Sequence, residues 1–209
     1  MARAFLHMLA DRRGAGAAEF ALVLPLLLLL LFGMIDSGRM FFEINEARKA
    51  TQVGARVAAV TNLVEPGLSG SYLGKTYTDS GGTTRTLFQG DRIPKEALGT
   101  VTCNTTQCTC QTAPCPTAGT YDGTAFDTVV ARMTNLYAPI SDSNVIIRYS
   151  GSGLGYAGNP HGADVSPAVT VELTGISFRP LTFFGLGTLT LPNLNSTVTA
   201  EDMVGAQSN

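Results

Sequence analysis

No tryptophan occurs in the 209 residues, histidine appears only at His7 and His161, and charged side chains make up 14% of the chain. With 14 Lys and Arg against 16 Asp and Glu the net charge is −2. That balance excludes the basic footprint of a nucleic-acid binder. Two histidines exclude a His-rich metal site, and neither a metal nor a cofactor is expected. Scarce charge with a mean hydropathy of +0.17 excludes a solvated disordered chain and suits a globular protein carrying one unusually apolar segment.

That segment is at the start. Phe20 to Ile35 reads FALVLPLLLLLLFGMI, and small residues extend it back to Gly14 past one acid, Glu19. At about 1.5 Å per residue, the stretch from Gly14 to Ile35 can just cross a hydrocarbon core about 30 Å thick. Arg3, Arg12 and Arg13 precede it with only Asp11 opposing. The positive-inside rule then keeps the N-terminus cytoplasmic and sends the remainder outward. Asp36-Ser37-Gly38-Arg39 after the run is a poor signal-peptidase site, so a single-pass anchor facing membrane lipid is expected.

Beyond Ile35 the pattern becomes amphipathic, with Phe41 and Ile44 and then Val53, Val57, Val60 and Val64 at helical steps. No proline falls between Pro25 and Pro66. One helix from about Ala15 to about Leu63 is therefore predicted, with a kink at Pro25, whose ring removes a backbone donor. Its second half extends far past the bilayer and must pack on an external head.

Composition changes near residue 61, because 24 of the 25 threonines lie at or beyond it, and helix is expected to give way to sheet. Cys103, Cys108, Cys110 and Cys115 fall in the pattern C-x4-C-x-C-x4-C. Outside the membrane an even count reads as two disulfides pinning a local hairpin or loop. Three pairings are open, a Cys108–Cys110 bridge being the least favourable. Thr124-Ala125-Phe126-Asp127 has the form of a capping box before a short amphipathic helix ending by Pro139. Strand signals are weak at Tyr72 to Tyr77 and Thr84 to Phe88. They are clearer at Val145 to Ser150, Val169 to Leu173, Thr188 to Leu191 and Thr197 to Glu201.

The leader carries the most specific pattern. Arg12-Arg13-Gly14 stands before Ala15-Gly16-Ala17-Ala18-Glu19-Phe20, so the acid is the fifth residue after the glycine, an aromatic follows, and then the apolar helix. This resembles the prepilin peptidase site of type IV pilin-like proteins. The longer string RRGAGAAEFALVLPLLLLLLFGMIDSGR resembles the opening of TadE-like pseudopilins of the tight-adherence (Tad, or Flp) pilus. NVIIRYSGSGLGYAG, VSPAVTVELTGISFRPLTFFG and TLTLPNLNSTVTAED resemble their C-terminal segments.

The resemblance implies an α+β, type IV pilin-like fold. A long N-terminal membrane helix would pack on a small antiparallel sheet, with a second short helix and a disulfide-bearing loop. It divides the chain into a leader (1–14), a membrane part (15–35), an amphipathic part (36–64) and a head (65–209). It also implies cleavage between Gly14 and Ala15. The freed Ala15 amine would then lie within about 6 Å of helix rise from Glu19, and Glu19, next to Phe20, would match the amine of a neighbouring subunit. The implied partners are a prepilin peptidase, other pilins and minor pilins and, indirectly, an assembly platform and ATPase in the bacterial inner membrane. The implied role is a minor pilin acting in assembly, initiation or at the tip.

Two rivals stand beside it. One is an anchored binding or adhesin module that does not polymerise. The other is an extracytoplasmic enzyme relying on His161 or an acid such as Asp164, for which no nucleophile elbow is present. Gly153 to Gly158 satisfies G-x-G-x-x-G, but Asn159-Pro160-His161-Gly162 opens no helix to hold a pyrophosphate. Gly74-Lys75-Thr76 lacks the first phosphate-loop glycine, its place being taken by Ser69. No catalytic residue is expected.

Overall fold

The computed structural model describes residues 15–116, 118–181, 187–200 and 203. The leader, Gly14 and the expected strand residue Glu201 lie outside the described residues.

Helix α1 runs without interruption from Ala15 to Val60 with Pro25 inside it. The chain divides into two compact units, one of residues 1–43 with 178–189, the other of residues 44–177 with 190–209.

In the larger unit five strands form one antiparallel sheet in the order β4-β3-β5-β6-β9. They are β3 (Thr100–Cys103), β4 (Cys108–Thr112), β5 (Val145–Ser150), β6 (Ala168–Leu173) and β9 (Leu194–Thr199). β5 and β6 align from Val145 opposite Leu173 to Ser150 opposite Ala168. Alternation puts Val145, Ile147 and Tyr149 with Val169, Val171 and Leu173 into the core. On the other face Arg148 pairs with Glu172 at 2.8 Å. A separate hairpin joins β1 (Thr76–Thr78) to β2 (Thr84–Thr86). β7 (Ser177–Phe178) pairs with β8 (Leu189–Thr190).

Helix α2 (Gly123–Thr134) contributes Phe126, Val129, Val130 and Met133 to the same core. Its cap is Asp122, whose Oδ1 accepts from the amides of Thr124 at 2.9 Å and Ala125 at 3.1 Å. The expected box at Thr124–Asp127 is therefore not the start. The helix begins at Gly123, because a carboxylate one residue earlier already satisfies two of its free amides.

The last turns of α1 meet this core through small residues. Ala47, Ala50, Thr51, Ala55, Ala58 and Ala59 are buried, whereas Val53, Val57 and Val60 are half-buried and Phe41 is exposed. Of the expected valine stripe, Val53, Val57 and Val60 are thus the margin of the contact, while Val64, past the end of the helix, is fully buried. The centre of the contact is Gly54, where a Cβ would stand 2.6 Å from Met133 Sδ and 3.5 Å from a Val171 methyl. Close approach of helix to helix and sheet selects small side chains at that seam.

α1 ends at Val60, three residues short of the expected end. Thr61 Oγ1 donates back to the Val57 carbonyl, and the Val64 amide donates to the buried Tyr149 hydroxyl at 3.1 Å. The fully buried Glu65 accepts from the amides of Gly119 (3.2 Å) and Thr120 (3.0 Å) and from the Thr120 hydroxyl. These long-range partners draw the backbone out of the helix.

The disulfides are Cys103–Cys108 and Cys110–Cys115. Cys103 lies directly opposite Cys108 in the β3–β4 register, so the first bridge closes a hairpin. Its turn is held by Asn104 Oδ1, which accepts from the amides of Thr106 and Gln107.

Candidate functional site: the exposed apolar helix

From Gly16 to Ile35 nearly every side chain of α1 is exposed. Phe20 is 64% accessible and Leu22 80%. An exposed apolar surface this long is stable only in lipid or against other helices. Its most apolar window has a mean hydropathy of 2.5 with none of it buried in the chain, and it fits a single-pass membrane anchor.

Glu19, the one acid on this surface, is exposed, and Phe20 follows it. Ala15 opens the helix, and a step of four residues places Glu19 one turn on, about 6 Å along the axis. Carboxylate and helix start therefore share a face. Pro25 stands six residues beyond Glu19, inside the continuous helix. Gly14 lies outside the described residues.

A second feature of this unit escaped sequence reasoning. Asp36, the first charged residue after Ile35, is only 6% exposed. Its Oδ1 accepts the Leu181 amide at 3.0 Å and lies 3.4 Å from Arg39 Nη1. The Arg39 guanidinium is also 3.8 Å from Glu43 Oε1 and 5.5 Å from the centre of the Phe178 ring. The i, i+3 spacing of Asp36 and Arg39 was a visible signal. The partner 145 residues away was not.

In the head, Asp164 and Gly155 join separate segments of the chain. Asp164 is buried, and its Oδ2 accepts from the Tyr72 amide (2.7 Å), the Ser71 hydroxyl (3.0 Å) and the Gly158 amide (2.9 Å), while Oδ1 accepts from the Asn159 amide (2.8 Å). Burial pushes its carboxyl up, but the amides of Gly158, Tyr72 and Asn159 together outweigh that and hold it below the usual carboxylate range. His161 is exposed, and its amide donates to Asn159 Oδ1.

Gly155 has φ of +120°, and a Cβ there would stand 2.1 Å from the Asp164 carbonyl oxygen. The central glycine of the G-x-G-x-x-G string is thus required by chain crossing rather than by a phosphate. The four cysteines are consumed in disulfides. A shallow cleft of about 600 Å³ is lined by Tyr77, Lys95, Glu96, Thr100 and Pro114 among others. Among the described residues no cluster of three His, Cys, Asp or Glu could hold a metal ion.

Residues 14–56 match the family model of the TadE-like proteins. Over that segment, about a fifth of the chain, the sequence is similar to the TadE-like proteins. The TadE-like match begins at Gly14 and contains Glu19, Phe20, Pro25, Asp36 and Arg39, so it spans the apolar helix and the acid that closes it. No curated protein and no solved structure matches the chain.

Proposed function

We propose that this chain is a minor pilin-like subunit, cut between Gly14 and Ala15 by a prepilin peptidase and inserted in the bacterial inner membrane with its N-terminus cytoplasmic. In the assembled state the Glu19 carboxylate receives the Ala15 ammonium of a neighbouring subunit. In the low-dielectric surroundings of packed helices that pairing is far stronger than in water. Helix–helix packing supplies the rest of the contact, with Pro25 as the hinge. The subunit acts in initiation or at the tip of a tight-adherence pilus. Other pilins are its direct partners, and a platform and ATPase act on it indirectly. No catalysis is assigned to the chain.

The observation that carries this reading is an exposed apolar stretch of α1, residues 16–35, whose single acid stands one turn after Ala15, within the segment similar to the TadE-like proteins. The test is the mass of the intact N-terminus, with and without a cognate prepilin peptidase. A peptidase-dependent start at Ala15, lost in Gly14→Leu, is expected, together with loss of piliation in Glu19→Ala. A retained leader in the presence of an active peptidase overturns the reading in favour of a tethered binding module.

A further inference from the structure

Asp36 marks the level at which the apolar run of α1 ends, and Leu181 is fastened to it through the 3.0 Å hydrogen bond from its amide. The Leu181 side chain is nevertheless 67% exposed, and Leu189, on the strand paired with β7, is 53% exposed. Arg179, two residues before Leu181, is exposed as well. Phe41 and Phe42 are both exposed. They lie five and six residues past Asp36, which at about 100° per residue turns them to the side of α1 away from the clamp. All these residues belong to the compact unit of 1–43 and 178–189.

We propose that Leu181, Leu189, Phe41 and Phe42 form a collar seated in the headgroup–acyl boundary of the bilayer that α1 enters, with Arg179 meeting lipid phosphate. The occupant is lipid because the collar continues the lipid-facing surface of α1, with only Gly38 and Ser37, whose hydroxyl donates back to the Gly33 carbonyl at 2.8 Å, exposed between Ile35 and Phe41. The acid that would interrupt it, Asp36, is turned inward onto Leu181 and Arg39. Exposed apolar side chains beside a cation are the composition that partitions into an anionic interface. The collar limits the depth and tilt at which the helix rides, as interfacial anchors do. It rests on the reading of residues 14–35 as membrane-embedded.

The chain lacks tryptophan, so single replacements report their own surroundings. The full chain is reconstituted in vesicles of phosphatidylethanolamine and phosphatidylglycerol whose lipids are brominated near the headgroup or deep in the acyl chain. Leu26→Trp tests the span, and Leu181→Trp and Leu189→Trp test the collar. Blue-shifted emission is expected from all three, quenched more by deep bromines at position 26 and more by shallow ones at 181 and 189. Adding Leu181→Asp should abolish the shallow quenching at 189.

Deep quenching at 26 with water-like, unquenched emission at 181 and 189 overturns the collar and leaves the anchor intact. Blue-shifted but unquenched emission at 181 overturns it in favour of a second copy of the chain covering that surface. Absence of quenching at 26 overturns the membrane reading itself and the collar with it.

Discussion

The Tyr72 amide donates to Asp164 Oδ2 over 2.7 Å, tying together two loops 92 residues apart in sequence. The same carboxylate collects Ser71, Gly158 and Asn159, so one side chain organises the end of the head that carries the glycine-rich string.

Asp164→Ala leaves those donors without an acceptor in a buried site. A loss of about 3 kcal/mol is expected in urea unfolding of the full chain in detergent, since each orphaned donor costs about 1–3 kcal/mol. The carboxyl is held below its unfolded value, so its contribution is present above about pH 4 and disappears as pH falls through the folded value. Asp164→Asn should flatten that acid limb. An unchanged pH profile in the Asn variant contradicts the hub.

Tyr149 is the counterpart on the alkaline side. Burial pushes its phenol well above the ordinary range, against the opposing hydrogen bond with the Val64 amide. The folded chain keeps the proton while the unfolded chain loses it near pH 10. Tyr149 therefore stabilises the fold below about pH 10, and this contribution is lost as pH rises beyond it. Tyr149→Phe should cost about 1 kcal/mol at neutral pH by orphaning the Val64 amide, and should show a shallower decline at high pH. Equilibrium unfolding across the alkaline range reads both effects.

Gly54 sits where α1 touches Met133 and Val171. On an exposed helix Gly→Ala stabilises by about 1 kcal/mol. Here the overlap with the fully buried Met133 reverses the sign, giving a loss of about 1 kcal/mol for Gly54→Ala and about 3 kcal/mol for Gly54→Val. In a Met133→Ala background the Gly54→Ala penalty should vanish, and a double-mutant cycle measures that coupling. Additive losses would contradict the contact.

The two disulfides close loops of equal span, each joining residues five apart. Loop-closure entropy gives each about 2 kcal/mol. Paired replacement of Cys103 and Cys108 by Ala, or of Cys110 and Cys115, should therefore cost similar amounts, the first more because Cys103 is fully buried. Non-reducing peptide mapping should find 103–108 and 110–115, and any other connectivity contradicts the β3–β4 register.

What the sequence determined by itself was what depends on local composition and spacing. The apolar run of α1, the acid after Gly14, the α+β class, the oxidised cysteines and the alternation of β5 and β6 all express preferences that neighbouring residues carry alone. Tertiary contacts decided the rest.

The seam of α1 runs along Ala47, Ala50 and Gly54 because close packing against Met133 rewards small side chains. Hydrophobic periodicity counts valines and sees no such reward. The cysteine spacing announced a local hairpin or loop at β3 and β4, but these threonine- and cysteine-rich strands join the larger sheet through pairing of β3 with β5, which no local pattern announces. Asp36 and Asp164 read as ordinary acids until Leu181 and Tyr72, 145 and 92 residues away, bring amides to them. Burial of a charge is specified by its partners, and those partners are neighbours only in the folded chain.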